Sequence, residues 1–102
     1  MTYGVIVTVA APVDTYDALH QELLRRTGGT VEGLVVHIAR VTQEGYQVIE
    51  VWESKELYDR CTREVLWPLA GEIFGDQPPG PEPTSEEFEV RGLVVPQGRI
   101  AV

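Results

Sequence analysis

The stretch Tyr46-Gln47-Val48-Ile49-Glu50-Val51-Trp52-Glu53-Ser54-Lys55-Glu56-Leu57-Tyr58 changes its periodicity halfway. Tyr46 to Trp52 is rich in β-branched and aromatic side chains and predicts a strand. Ser54 is then a good helix N-cap, with Glu56 in the first turn where the helix dipole favours an acid. Leu57, Tyr58, Cys61, Val65 and Leu66 continue as the apolar stripe of a helix. Pro68 cannot continue a straight helix interior, so a kink or restart is expected there, and Gly75 ends the helical region.

Upstream, Thr42-Gln43-Glu44-Gly45 is a short polar connection ending in glycine, which predicts a hairpin. The strand that enters it is Leu34–Val41, opened by Gly33. Further back, Tyr3–Ala10 reads as a β-branched strand that stops at Pro12. Asp14 is the expected N-cap of a first helix over 14–27, with Asp17 as a weak capping-box partner. In that helix Tyr16, Leu19, His20, Leu23 and Leu24 recur at helical spacing. Arg25 and Arg26 fall in its last turn, and Gly28-Gly29 closes it. Downstream, Asp76–Ser85 holds four prolines and a glycine and is expected to be an extended loop. Glu86–Val95 is the fourth predicted strand, stopped by Pro96, and 97–102 is a tail with an apolar end.

The order β-α-β-β-α-β predicts one ferredoxin-like α+β domain over 1–102: a four-stranded antiparallel sheet with two helices on one face. Two short helices cover one face only. Yet Val5-Ile6-Val7, Leu34-Val35-Val36 and Leu93-Val94-Val95 send apolar side chains to both faces, because side chains alternate along a strand. A wet second face would be a large apolar patch, so a two-fold homodimer is expected to cover it.

Composition narrows the partners. The chain has 102 residues and a net charge of −8, from 16 acidic and 8 basic residues. Nucleic acids and anionic membranes are therefore not expected partners. An RNA-binding domain shares the element order but needs aromatic and basic residues on its sheet; the central strands show His37, Gln47 and Val51. The single cysteine, Cys61, excludes an intrachain disulfide and a Cys-based zinc site, and fits a cytoplasmic setting. The apolar run Val5–Ala11 is too short for a signal or a membrane span. No phosphate-binding loop and no zinc-protease motif occurs, and two His residues on different elements do not suggest a metal site.

The segment Val48–Tyr58 resembles the strand-to-helix signature of dimeric α/β-barrel proteins, and in particular of the antibiotic-biosynthesis-monooxygenase-like (ABM-like) group. There Glu-x-Trp-x-Ser closes the third strand and a helix with an early aromatic follows; Glu50, Trp52, Ser54 and Tyr58 match. Gly33-Leu34 and the element order also fit. The resemblance implies a ligand cavity between sheet and helices in each subunit. In some members that cavity serves cofactor-independent oxygenation of aromatic polyketide-like substrates, and in others haem degradation. It implies that Trp52 and Tyr58 line the cavity. The pattern's Asn four residues before the Trp is Val48 here, and the His that haem-degrading members carry on helix two has no counterpart.

Six residues are candidates for chemistry. Glu50 shares a face with Val48 and Trp52, and a carboxylate among apolar neighbours is a candidate base, unless Arg40 or Arg91 pairs with it across the sheet. His20 lies one helical turn after Tyr16, and imidazole is the commonest general base. Tyr58 can present a hydroxyl as donor or weak acid. His20, Glu50 and Tyr58 are thus the catalytic candidates, and Tyr16, His37 and Trp52 the ligand-binding ones. Cys61 reads as an inert small hydrophobe. No cofactor or metal is expected. Two functions compete: an enzyme on a hydrophobic or aromatic small molecule (a cofactor-independent monooxygenase, an isomerase or a cyclase), or a non-catalytic ligand-binding or accessory dimer.

Overall fold

Residues 2–75, 80–98 and 100–101 are described by a computed structural model. The elements are β1 (Tyr3–Val9), α1 (Val13–Thr27), β2 (Leu34–Val41), β3 (Tyr46–Trp52), α2 (Lys55–Cys61), a π-helical turn (Thr62–Leu66), α3 (Trp67–Phe74) and β4 (Thr84–Phe88). The strands form one antiparallel sheet in the order β2-β3-β1-β4. This is the ferredoxin-like arrangement that the element order predicts.

Register sorts the side chains. Val5 pairs with Glu50, Val7 with Val48 and Val9 with Tyr46, while His37 pairs with Glu50 and Ala39 with Val48. All of these lie on the face that carries the helices. Gly4, Ile6, Val36, Ile38, Ile49, Val51 and Phe88 lie on the opposite, open face. There the Phe88 ring fills the space over Gly4, where a Cβ would come within 2.5 Å of it. At the hairpin end of that face, Arg40 donates to Gln47 and Gln47 to Thr8.

The helix signals hold with two differences. Ser54 caps α2 by accepting the Leu57 N–H at 3.2 Å. Ser54→Ala is expected to lower stability by about 1 kcal/mol, visible as a lower urea midpoint with an unchanged slope; an unchanged midpoint would show that the cap contributes nothing. Asp14 is not the cap of α1. Pro12 takes the N-cap position with no side-chain bond, its ring having preset the backbone, and Asp14 sits in the first turn. The interruption expected at Pro68 takes the form of the π-helical turn just before it, in which the Trp67 N–H reaches back to the Thr62 carbonyl. Widening the ladder there relieves the clash of the proline ring with the preceding turn.

The fourth strand differs most. It covers Thr84–Phe88, not 86–95, so Thr84 and Ser85 leave the proline-rich segment, of which 76–79 lie outside the described residues. The register explains the early end. Phe88 already faces Gly4, near the start of β1, and Val90–Val95 has no strand left to pair with. Leu93, Val94 and Val95 are 41, 84 and 43% exposed. No helix among the described residues is long and apolar enough to cross a membrane.

Among the described residues the buried apolar ones are Val5, Ala11, Tyr46, Val51, Trp52 and Leu69. Neither α1 nor α2 contributes one. The inner faces of α1 and α2 therefore stay partly exposed, while the sheet residues Val5, Tyr46 and Trp52 beneath the helices are covered.

Candidate functional site

Glu50 is the hub of a polar chain under the helices. Its Oε1 accepts the Trp52 indole N–H at 2.9 Å and its Oε2 lies 2.6 Å from His37 Nδ1. His37 Nε2 is 2.8 Å from the Tyr16 hydroxyl. A carboxylate only accepts, so Nδ1 carries the proton, and in the neutral imidazole Nε2 then accepts from the Tyr16 O–H. The Glu50 and His37 side chains are 15 and 25% exposed.

Aromatic rings surround this chain. Tyr16 stacks on His20 with centroids 5.0 Å apart, and the His20 and His37 rings are nearly parallel at 5.4 Å. Tyr46 tilts against Tyr16 at 5.3 Å. Tyr58 meets Trp52 edge-on at 5.7 Å and packs against Tyr3 at 5.4 Å. Burial, and next the charge of Glu50, push up the pKa of Tyr16, Tyr58 and Cys61, so three side chains on two helices sense one carboxylate. The chain opens on a cleft of about 530 Å³ between α1 and the edge strand β2, lined by Tyr16, Asp17, His20, Leu24, His37 and Ile38 among others. That volume is in the range of small-molecule sites.

All six candidates from the sequence converge here. Tyr16, His20 and His37 form the cleft wall. Glu50 stands behind them, and Trp52 is buried at 3% exposure with Tyr58 against it. Two expectations change. Glu50 pairs with neither arginine: Arg40 is on the open face bonded to Gln47, and Arg91 bonds Glu89. Trp52 and Tyr58 back the site instead of lining the cleft, because Trp52 is locked to Glu50. Tyr46 was not among the candidates, although strand parity places it on the face of Glu50 and Trp52.

Tyr16 supplies a pH prediction. Its pKa is raised from 10.0 to about 12 by burial first and by Glu50 next. The folded state thus holds the phenol proton more tightly than the unfolded chain. This stabilisation is complete below pH 10.0 and is lost as pH rises to about 12. Melting temperatures are expected to fall across that window, and less steeply in Tyr16→Phe. Equal slopes would show that Tyr16 is not the group responsible.

No family model matches the chain, and no curated protein shows significant sequence similarity to it. Solved structures do match. A candidate antibiotic biosynthesis monooxygenase from Caulobacter crescentus CB15 superposes with a TM-score of 0.69 at 18% identity, over 89% of this chain and 91% of that one. The chain has the ABM-like fold. The haem degrader MhuD from Mycobacterium tuberculosis, with two haems in its active site, has a TM-score of 0.55 at 21% identity, over 91% of this chain and 99% of that one. The cofactor-independent oxygenase SnoaB from Streptomyces nogalater has 0.51 at 17%, over 91% and 94%. On this fold the chain carries a carboxylate–imidazole pair formed by side chains of two adjacent strands, with a helix phenol on its outer end.

Proposed function

We propose that the protein binds a planar, largely apolar small molecule in the cleft beside Tyr16, His20 and His37 and acts on it as a monooxygenase-like enzyme without a cofactor. The observation that carries this reading is the convergence of parallel rings and the Glu50 chain on the cleft between α1 and β2. Flat rings favour a flat ligand through offset stacking, and the few polar groups set its orientation. The likeness to SnoaB and to the Streptomyces coelicolor monooxygenase solved with nanaomycin D supports an aromatic ligand and oxidative chemistry. Val48, an apolar residue on the face of Glu50, favours a second reading, a binding protein without turnover.

Calorimetric titration with tricyclic quinones and anthrones, followed by oxygen-uptake assays, tests both. Micromolar binding weakened about tenfold or more by His20→Ala is expected. Oxygen uptake supports the enzyme, binding without uptake supports the binding protein, and no binding across the panel sinks both.

We further propose a cytoplasmic homodimer joined through the open face. Its support is the apolar set Ile6, Val36, Ile38 and Ile49, together with the unpaired, exposed Leu93, Val94 and Val95. Ile38→Asp places a charge on that face and is expected to give a monomer in sedimentation equilibrium. A wild-type chain that sediments as a monomer would overturn the dimer.

A further inference from the structure

We infer that the ligand of this cleft carries an acidic hydroxyl, a phenol or an enol, which takes the place of the Tyr16 hydroxyl on His37 Nε2, and that His37 is the base receiving its proton. This rests on the cleft being a ligand site and goes further by naming the ligand's chemistry and the accepting atom.

The hydrogen-bond chain runs one way. Trp52 Nε1–H can only donate, so it engages Glu50 Oε1 and leaves Oε2 for His37 Nδ1–H. The imidazole is thereby fixed in the tautomer whose lone pair is on Nε2. The partner the protein itself supplies there is a phenol, the Tyr16 O–H at 2.8 Å. Tyr16 stands on α1 and its ring lines the cleft, so its hydroxyl is the group that an entering ligand displaces, against the packing of that ring on His20 and Tyr46. The His37 ring, with a quarter of its side chain exposed, is then reachable from the cleft, while Glu50 stays behind it at 15% exposure.

The proton step balances without an oxidant. The ligand O–H bond breaks, the proton goes to His37 Nε2, and the oxygen keeps the electron pair as an oxyanion beside the imidazolium. The Glu50 carboxylate accepts the Nδ1–H at 2.6 Å and so stabilises the new cation. In a partly buried site this attraction is stronger than in water. Other charged or titratable groups lie around it: Asp17 and His20 on α1, Tyr46 on β3, and Tyr58 and Cys61 on α2. The match of acidities selects the class of ligand. A phenol or an enol is a weak acid whose proton a neutral imidazole can accept through a direct hydrogen bond. An aliphatic alcohol holds its proton too tightly, and a carboxylic acid arrives already ionised and meets the charge of Glu50.

4-Nitrophenol is the probe, because its anion absorbs visible light and its neutral form does not. Equilibrium dialysis reads binding, and the visible spectrum of the bound fraction reads ionisation, at a pH about one unit below the probe's own pKa. 4-Nitroanisole, the same ring without the O–H, is the control.

With the wild-type chain, bound 4-nitrophenol is expected to show an anion-to-neutral ratio at least tenfold higher than free probe. Glu50→Gln and His37→Gln, checked for folding by circular dichroism, should bind both probes and lose that excess ionisation. Tyr16→Phe vacates the seat and should bind 4-nitrophenol several-fold more tightly, with no such gain for 4-nitroanisole. Bound probe no more ionised than free, equal ionisation in Glu50→Gln, or unchanged affinity in Tyr16→Phe each overturns the inference and leaves the cleft as an aromatic site. Failure of both probes to bind the wild-type chain overturns the inference and the ligand site together.

Discussion

Gly45→Ala is expected to lose about 3 kcal/mol or more of folding stability. A Cβ at Gly45 would lie 2.2 Å from the Val9 carbonyl oxygen, 2.6 Å from that of Ala11 and 2.8 Å from the Ala11 nitrogen. These are backbone atoms, so no side chain can rotate away to make room. Relief requires parting β1 from β3 at Val9–Tyr46, or displacing Ala11, which is 4% exposed. Gly80 closes on the same connection from elsewhere, its Cβ position being 2.5 Å from the Ala10 oxygen. Gly45 also joins the hairpin turn, where its carbonyl accepts the Thr42 N–H at 2.9 Å. Against a typical total of roughly 5–15 kcal/mol, such a loss should give a much lower melting temperature or an insoluble chain. Gly71→Ala is the control. It lies inside α3 with nothing within 4 Å of an added Cβ, and should gain about 0.5–1 kcal/mol from helix propensity. Equal melting temperatures for Gly45→Ala and the wild type would mean that the Ala10–Ala11 connection yields freely.

Trp52→Ala is expected to cost about 3–5 kcal/mol. The indole is 3% exposed, is the edge-on partner of Tyr58, and bonds Glu50. Removing it leaves a cavity beneath α2 and takes one donor from the carboxylate. Trp52→Phe separates the two effects, since it keeps most of the ring and deletes the N–H. It should cost about 1–3 kcal/mol, the range for a buried polar group that loses its partner. Chemical denaturation of both variants decides the matter. A cost below about 1 kcal/mol for Trp52→Ala would mean that the indole is not part of the core.

The element order was legible because its signals are local: the hairpin glycine, the Ser54 cap, the Gly28 stop and the change of period at Trp52. The end of β4 was not. Glu89–Val95 has a strand's composition, but a strand needs a partner, and the register uses up β1 at Phe88. Asp14 looked like a cap only because nothing local shows that Pro12 had already set the entering backbone.

Half of the site could have been read further. Once the hairpin sets Val41 opposite Tyr46, counting four residues back on one strand and four forward on the other puts His37 opposite Glu50. The contact of Tyr16 with His37 depends on how α1 is rotated over the sheet, which is a tertiary outcome. So is the seating of Trp52 behind the cleft.

On the edge strand β2, His37 and Ile38 are neighbours whose side chains lie on opposite faces of the sheet, and both border the cleft. A partner subunit seated on Ile38 would form part of the rim that a ligand on His37 meets. Subunit association and ligand affinity then share one free-energy cycle, so each must change the other by the same factor. In the proposed dimer the dissociation constant would be a reporter of occupancy. A compound that tightens the dimer has to bind the dimer better than the monomer, and it can be found without knowing the reaction.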